Sequence, residues 1–168
     1  YLSPLKEEEI FNVLKTVQPN INKNHSALHL CGGSISKAFA YLETDVNHLS
    51  NDCLTFLRNA IGGKPVELYS VIEKFTESKN KQWVDEFLIA LLFWFQDANL
   101  LNSSQNPQKL IHVDLHAELI KFSQRYAAHD FLGAILLIEE ARQSLKSNVH
   151  VSMTLANLAI AFKNYFNP

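Results

Sequence analysis

Phe87-Leu88-Ile89-Ala90-Leu91-Leu92-Phe93-Trp94-Phe95 is the longest uninterrupted apolar run of the chain, bounded by Asp85 and Glu86 before it and by Gln96 and Asp97 after it. Its nine residues fall well short of the about 20 that a membrane-crossing helix needs. The flanking residues extend the pattern into a helix from Gln82 to Leu100 that is apolar all round in its middle. A helix of that kind does not lie on a surface; other helices have to surround it. The run therefore predicts the core of a helical bundle.

Helical spacing dominates on both sides of it. Pro65 takes the first position of a helix in which Leu68, Val71, Ile72 and Phe75 fall at i, i+3, i+4 and i+7. Before it, Asp45 caps a helix through Ile61, with Val46, Leu49, Cys53, Leu54, Leu57 and Ile61 apolar, and Gly62-Gly63 stops it. At the start of the chain Pro4 suits a first helical turn and Glu7, Glu8 and Glu9 suit the positive helix end. Leu5, Ile10, Val13, Leu14 and Val17 form the apolar stripe of that helix, which Pro19 ends. Short helices follow from Lys23 to Leu30 and from Ile35 to Leu42. Beyond the central run, Asn102-Ser103-Ser104-Gln105-Asn106-Pro107 reads as a loop. Three more helices come after it: Leu115 to Tyr126, His129 to Lys146, and Val149 to Phe166. Alternating windows such as Ile111 to Leu115 are too short for strands. The expected fold is all-α, with a small three-helix domain over residues 1–62 and a helical bundle over residues 63–168.

Composition narrows the function classes. The chain has 168 residues, 47% of them hydrophobic and 19% charged, with a formal net charge of -2, so it can fill a core but has no overall basic field for a nucleic-acid backbone. Trp83, Phe87, Phe93, Trp94 and Phe95 lack the interleaved Arg and Lys of a single-strand binder and read as core. Cys31 and Cys53 form no CxxC pair, which suits a reducing, cytoplasmic setting. Tyr1-Leu2-Ser3-Pro4-Leu5-Lys6 carries no signal-peptide pattern and no initiator methionine, so the sequence reads as an excised piece.

Catalytic and metal motifs are sparse. Gly63-Lys64 has Arg58 and Pro65 where a phosphate loop needs Gly and Ser or Thr, so no Walker-type nucleotide site is formed. His25 and His29, and His112 and His116, lie four apart as zinc ligands on one helix face would, but neither pair has an evident third ligand. Asp114 points elsewhere on a regular helix. Ordinary polar-face histidines are the favoured reading, with a small helical enzyme using His112, Asp114 or His116 as an alternative. Neither a metal nor a cofactor is expected in this piece.

Gly32-Gly33-Ser34-Ile35-Ser36-Lys37-Ala38-Phe39 forms a corner, with two glycines ending one helix and Ser34 starting the next. The first N–H groups of the second helix point outward there and can face an anion. With Ser3-Pro4-Leu5 and Glu7-Glu8-Glu9-Ile10 before it, the corner resembles the AAA+ lid of the delta-prime subunits of bacterial DNA polymerase III clamp loaders. Trp94-Phe95-Gln96-Asp97 is similar to that family's collar helix, which commonly ends in Arg-Asp, and Ser147-Asn148-Val149 to the Asn-containing start of its last helix. In the related gamma (tau) motor subunits the lid helix reads Gly-Ser-x-Arg, whereas Ser36 stands at that position here and a hydroxyl cannot supply the charge. Lys37, about 100° further round the helix, need not replace it.

The resemblance implies a lid followed by a collar domain, without catalysis of its own, that assembles with gamma (tau) and delta subunits in DNA replication. It implies contact with DNA only through the complex, no membrane, and a vestigial sensor-2-like corner at Gly33, Ser34, Ser36 and Lys37. A gamma (tau) motor piece is the alternative within the same complex. Trp94, Val151, Leu155, Leu158, Ile160 and Phe162 are the candidate interface positions, with core packing as their other possible role.

Overall fold

The computed structural model describes residues 5–21, 28, 31–43, 46–78, 81–103, 110–112 and 115–167. Eight helices run through them: α1 (Glu7–Val17), α2 (Ile35–Glu43), α3 (Val46–Ile61), α4 (Pro65–Ser78), α5 (Lys81–Ser103), α6 (His116–Arg125), α7 (Phe131–Lys146) and α8 (Val151–Phe166). Among the described residues there is no strand, and the chain is all-α. The expected helix from Lys23 to Leu30, Pro4, the Asp45 cap, His25 and His29, Ser104 to Pro107 and Asp114 lie outside the described residues, Leu28 excepted.

Local chemistry explains the helix ends. The Lys6 N–H donates to the Glu9 carboxylate at 2.8 Å, which closes the first turn of α1. Gly63, at φ +65°, ends α3: Lys64 N–H reaches Asn59 O at 3.0 Å and Gly63 N–H reaches Ala60 O at 3.4 Å, a Schellman closure that favours glycine at the left-handed position. At the start of α7 the Asp130 carboxylate accepts from Leu132 N–H at 2.9 Å, so the helix begins at Phe131 instead of His129. Asn148, at φ 62°, closes α7 in the same way as Gly63 closes α3. It therefore ends one helix, whereas the resemblance sets it at the start of the next, and His150 is the N-cap of α8.

None of the nine residues of the apolar run is exposed: Ile89, Leu92 and Phe93 are half-buried and the other six are buried. Helix α5 packs against α3, α6 and α7, and α8 lies against α3, α4 and α7. Phe87, near one end, meets Phe56 edge-on at 5.4 Å and Phe75 at 4.4 Å between ring centroids. Toward the other end, Phe95 is ringed by Phe122, Phe131, Phe162 and Phe166 at 5.3 to 6.2 Å. Such aromatic pairs contribute about 0.5–1.5 kcal/mol each beyond the area they bury. Arg142 of α7 bridges to Asp85 of α5 at 2.8 Å and to Glu139 at 3.0 Å.

Two hydrophobic clusters divide the molecule. Ile10, Leu14, Ile21, Leu28, Cys31, Ala38 and Tyr41 form the smaller one. Phe93 of α5 and Ile111 pack against it and join it to the bundle. Leu5, Val13 and Val17, expected in the apolar stripe of α1, are exposed, and only Ile10 and Leu14 of that stripe are buried. Helix α3 belongs to the larger cluster: Leu49, Cys53, Phe56, Leu57, Ala60 and Ile61 share one core with α4 to α8. The expected division at residues 62 and 63 thus falls between two helices of the same core, and the change from one cluster to the other comes before α3. Gly62-Gly63 is a strong punctuation mark, but it turns the chain within the bundle.

Candidate functional site

Of the corner, the glycines and the start of α2 lie within the described residues, and the expected preceding helix does not. Gly32 and Gly33 have φ +57° and +85°, Ser34 N–H donates to Cys31 O at 3.1 Å, and Leu5 N–H donates to Gly33 O at 3.2 Å. The Ser34 hydroxyl accepts a long hydrogen bond from Lys37 N–H at 3.4 Å, while the side chains of Ser36 and Lys37 are exposed. The hollow in front of the two glycines is bordered by Leu5, Lys6, Glu7 and Glu8. Two carboxylates against one ammonium make it a poor place for an anion.

The histidines are placed differently from one another. His112 is buried, with Nδ1 2.9 Å from Asp97 Oδ2. The same carboxylate accepts from the backbone N–H groups of Ile111, at 3.1 Å, and His112, at 2.9 Å. Asp97 thereby fastens the chain that returns after α5 back onto that helix, and the Trp94 ring stands edge-on to His112 at 5.5 Å. His116 opens α6, and its Nε2 is buried with no hydrogen-bond partner among the described residues. Among the described residues no group of three His, Cys, Asp or Glu side chains converges as metal ligands would. In the sequence Asp97 stands out as the end of an apolar helix and of the collar-like Trp94-Phe95-Gln96-Asp97, but its partners come from a segment more than ten residues away.

Burial separates core from surface among the interface candidates. Trp94, Leu155, Leu158 and Phe162 are buried inside the bundle, and Val151 is half-buried against the same core. Ile160 alone of that set is exposed, at 57%. It shares one side of α8 with Met153, at i and i+7, while Leu132 and Leu136 share one side of α7 at i and i+4. Val66 and Tyr69 are exposed on α4, which also packs on α8. A shallow groove of about 210 Å³ runs between α7 and α8, floored by Leu137, Leu158 and Ala161. Leu132, Leu136 and Met153 escaped the sequence reading although a signal was present, because Phe131 to Ile138 is apolar on more sides than one core can use. Among the described residues no helix is long and apolar enough to cross a membrane.

Residues 46–163 match the family model described as DNA polymerase III, delta subunit, C terminal. The match starts at the first residue of α3 and ends within α8, so it covers the bundle and leaves out α1 and α2. No curated protein and no solved structure matches the chain.

Proposed function

We propose, because this chain belongs to the family of C-terminal domains of DNA polymerase III delta subunits, that it is a catalytically silent assembly region of a replication clamp loader. The family makes residues 46–163 a clamp-loader-related region. Our finer reading is a subunit of delta-prime type, whose bundle joins gamma (tau) and delta subunits in a helical collar in the cytoplasm and meets DNA only through that complex. Exposed apolar side chains on α4, α7 and α8 carry this reading, because a bundle whose own core is already filled gains by covering such positions against a neighbour. Ser36, in place of a guanidinium, favours the non-hydrolysing type over a motor subunit.

Co-purification tests it. The chain is expected to co-elute with gamma and delta collar fragments, and Leu136→Glu with Ile160→Glu should abolish co-elution while leaving the unfolding free energy from urea titration within about 0.5 kcal/mol of wild type, as surface changes do. A chain that stays monomeric at high concentration beside both partners refutes the assembly role. One copy per reconstituted ring agrees with the delta-prime type, and several copies would assign it to the motor type.

A further inference from the structure

A second surface feature lies between α3 and α6. Leu54, Leu57 and Ile61 from α3, Phe122 from α6 and Tyr126 just after it floor an open groove of about 270 Å³. Arg58, Lys121 and Arg125 stand along it with a single carboxylate, Glu118. All three cations are exposed. Among the described residues none of them makes an ion pair, and the one interaction of their side chains is that of the Arg125 guanidinium with the adjacent Tyr126 ring, 5.7 Å from its centroid. In a chain of net charge -2 this is a local reversal of sign over an apolar floor.

We propose that this groove docks a short acidic peptide segment of another protein, with an aliphatic or aromatic side chain as its anchor. Charge complementarity selects the occupant: three unpaired cations, Arg58 from α3 and Lys121 and Arg125 from α6, attract carboxylates, and the floor between them rewards an apolar residue that a free anion lacks. The lining residues on α3 recur at i, i+3, i+4 and i+7, so the groove is about 10 Å long, the span of a few peptide residues. It lacks the enclosure and the buried polar groups that orient small ligands. Nucleic acid is disfavoured because the rings offer no free platform. Phe122 already packs against Trp94, Phe95, Tyr126, Phe131 and Phe166, and Tyr126 packs against Phe122, His129 and Phe166. The groove is lined by none of the exposed apolar residues of the assembly face, so the two readings stand or fall separately.

The test is fluorescence anisotropy on the whole chain with a fluorescein-labelled peptide of alternating Asp and Leu or Phe residues. A second peptide carries Asn at every Asp, and labelled oligothymidylate is the nucleic-acid arm. Saturable binding of the acidic peptide is expected, weakening with salt as the screening length contracts. Arg58→Glu with Lys121→Glu should weaken it by roughly tenfold or more, and Arg58→Lys with Lys121→Arg should retain it. The circular dichroism of both variants should be unchanged, because the substituted side chains are exposed. Absence of saturable binding overturns the proposal, as does equal binding of the Asn peptide or equal binding by the charge-reversed variant. Tighter binding of oligothymidylate through the same residues overturns it in favour of a nucleic-acid surface. Leu136→Glu, which tests assembly, should leave peptide binding unchanged.

Discussion

Asp97 shows how one buried side chain can hold two segments together. Its carboxylate satisfies the backbone N–H groups of half-buried Ile111 and buried His112, and the His112 ring. Asp97→Ala would leave these donors without a partner, and a buried unsatisfied donor costs about 1–3 kcal/mol. A loss of about 3 kcal/mol is expected as a lower urea midpoint at unchanged slope. Tyr41 makes a pH-dependent contribution. Burial, then the nearby Glu86, Cys31 and Asp85, push its phenol from 10.0 up to about 12. The unfolded chain therefore loses that proton first. The contribution is complete below pH 10, and on the order of 2 kcal/mol is lost as pH rises through the folded value. Urea titrations at about pH 9 and about pH 12 should show wild type losing more stability than Tyr41→Phe by that amount.

Between elements, α7 and α8 approach closely at Gly133. A Cβ built on Gly133 would stand 2.2 Å from the Tyr165 hydroxyl oxygen and 2.8 Å from its ring. That ring is held in place because its hydroxyl donates to Asp130 O at 2.5 Å. Alanine ordinarily improves a helix interior by about 1 kcal/mol over glycine. Here the ring must move and its hydrogen bond must break, so Gly133→Ala should lower stability by about 1 kcal/mol. With Tyr165→Ala in the background the same substitution should become stabilising, which a double-mutant cycle on thermal midpoints would show. Cys53 illustrates burial at the same scale. Its thiol lies between α3 and α5 and donates to Phe87 O at 3.7 Å, and burial pushes its pKa well above the usual thiol range.

For the whole molecule, the division between the two clusters has a direct consequence. Residues 46–168 contain the larger core, and among the described hydrophobic residues of that stretch Phe93 and Ile111 pack on the smaller one. This piece expressed alone should give a cooperative urea transition. Residues 1–62 should not, because α3 would be separated from the helices that cover Phe56 and Leu57. A cooperative transition in the shorter piece, with none in the longer, would place the boundary at Gly62-Gly63 after all.

By itself the sequence determined the eight described helices and their order. The periodicity of α3, α4 and α5, the Pro65 start and the Gly63 stop are local matters of backbone geometry and side-chain spacing, and these are read from neighbours along the chain. The start of α2 after Ser34 was legible for the same reason. Only the tertiary structure decided which apolar faces were used. Trp94, Leu155 and Phe162 are core while Leu132, Leu136 and Met153 are surface, although all six are apolar residues in helices. It likewise put α3 into the bundle, joined Asp97 to His112, and set Arg58 beside Lys121 and Arg125 over one groove. Each of these depends on residues far apart in the chain meeting across helices, and spacing along one helix carries no information about the helix that comes to lie beside it.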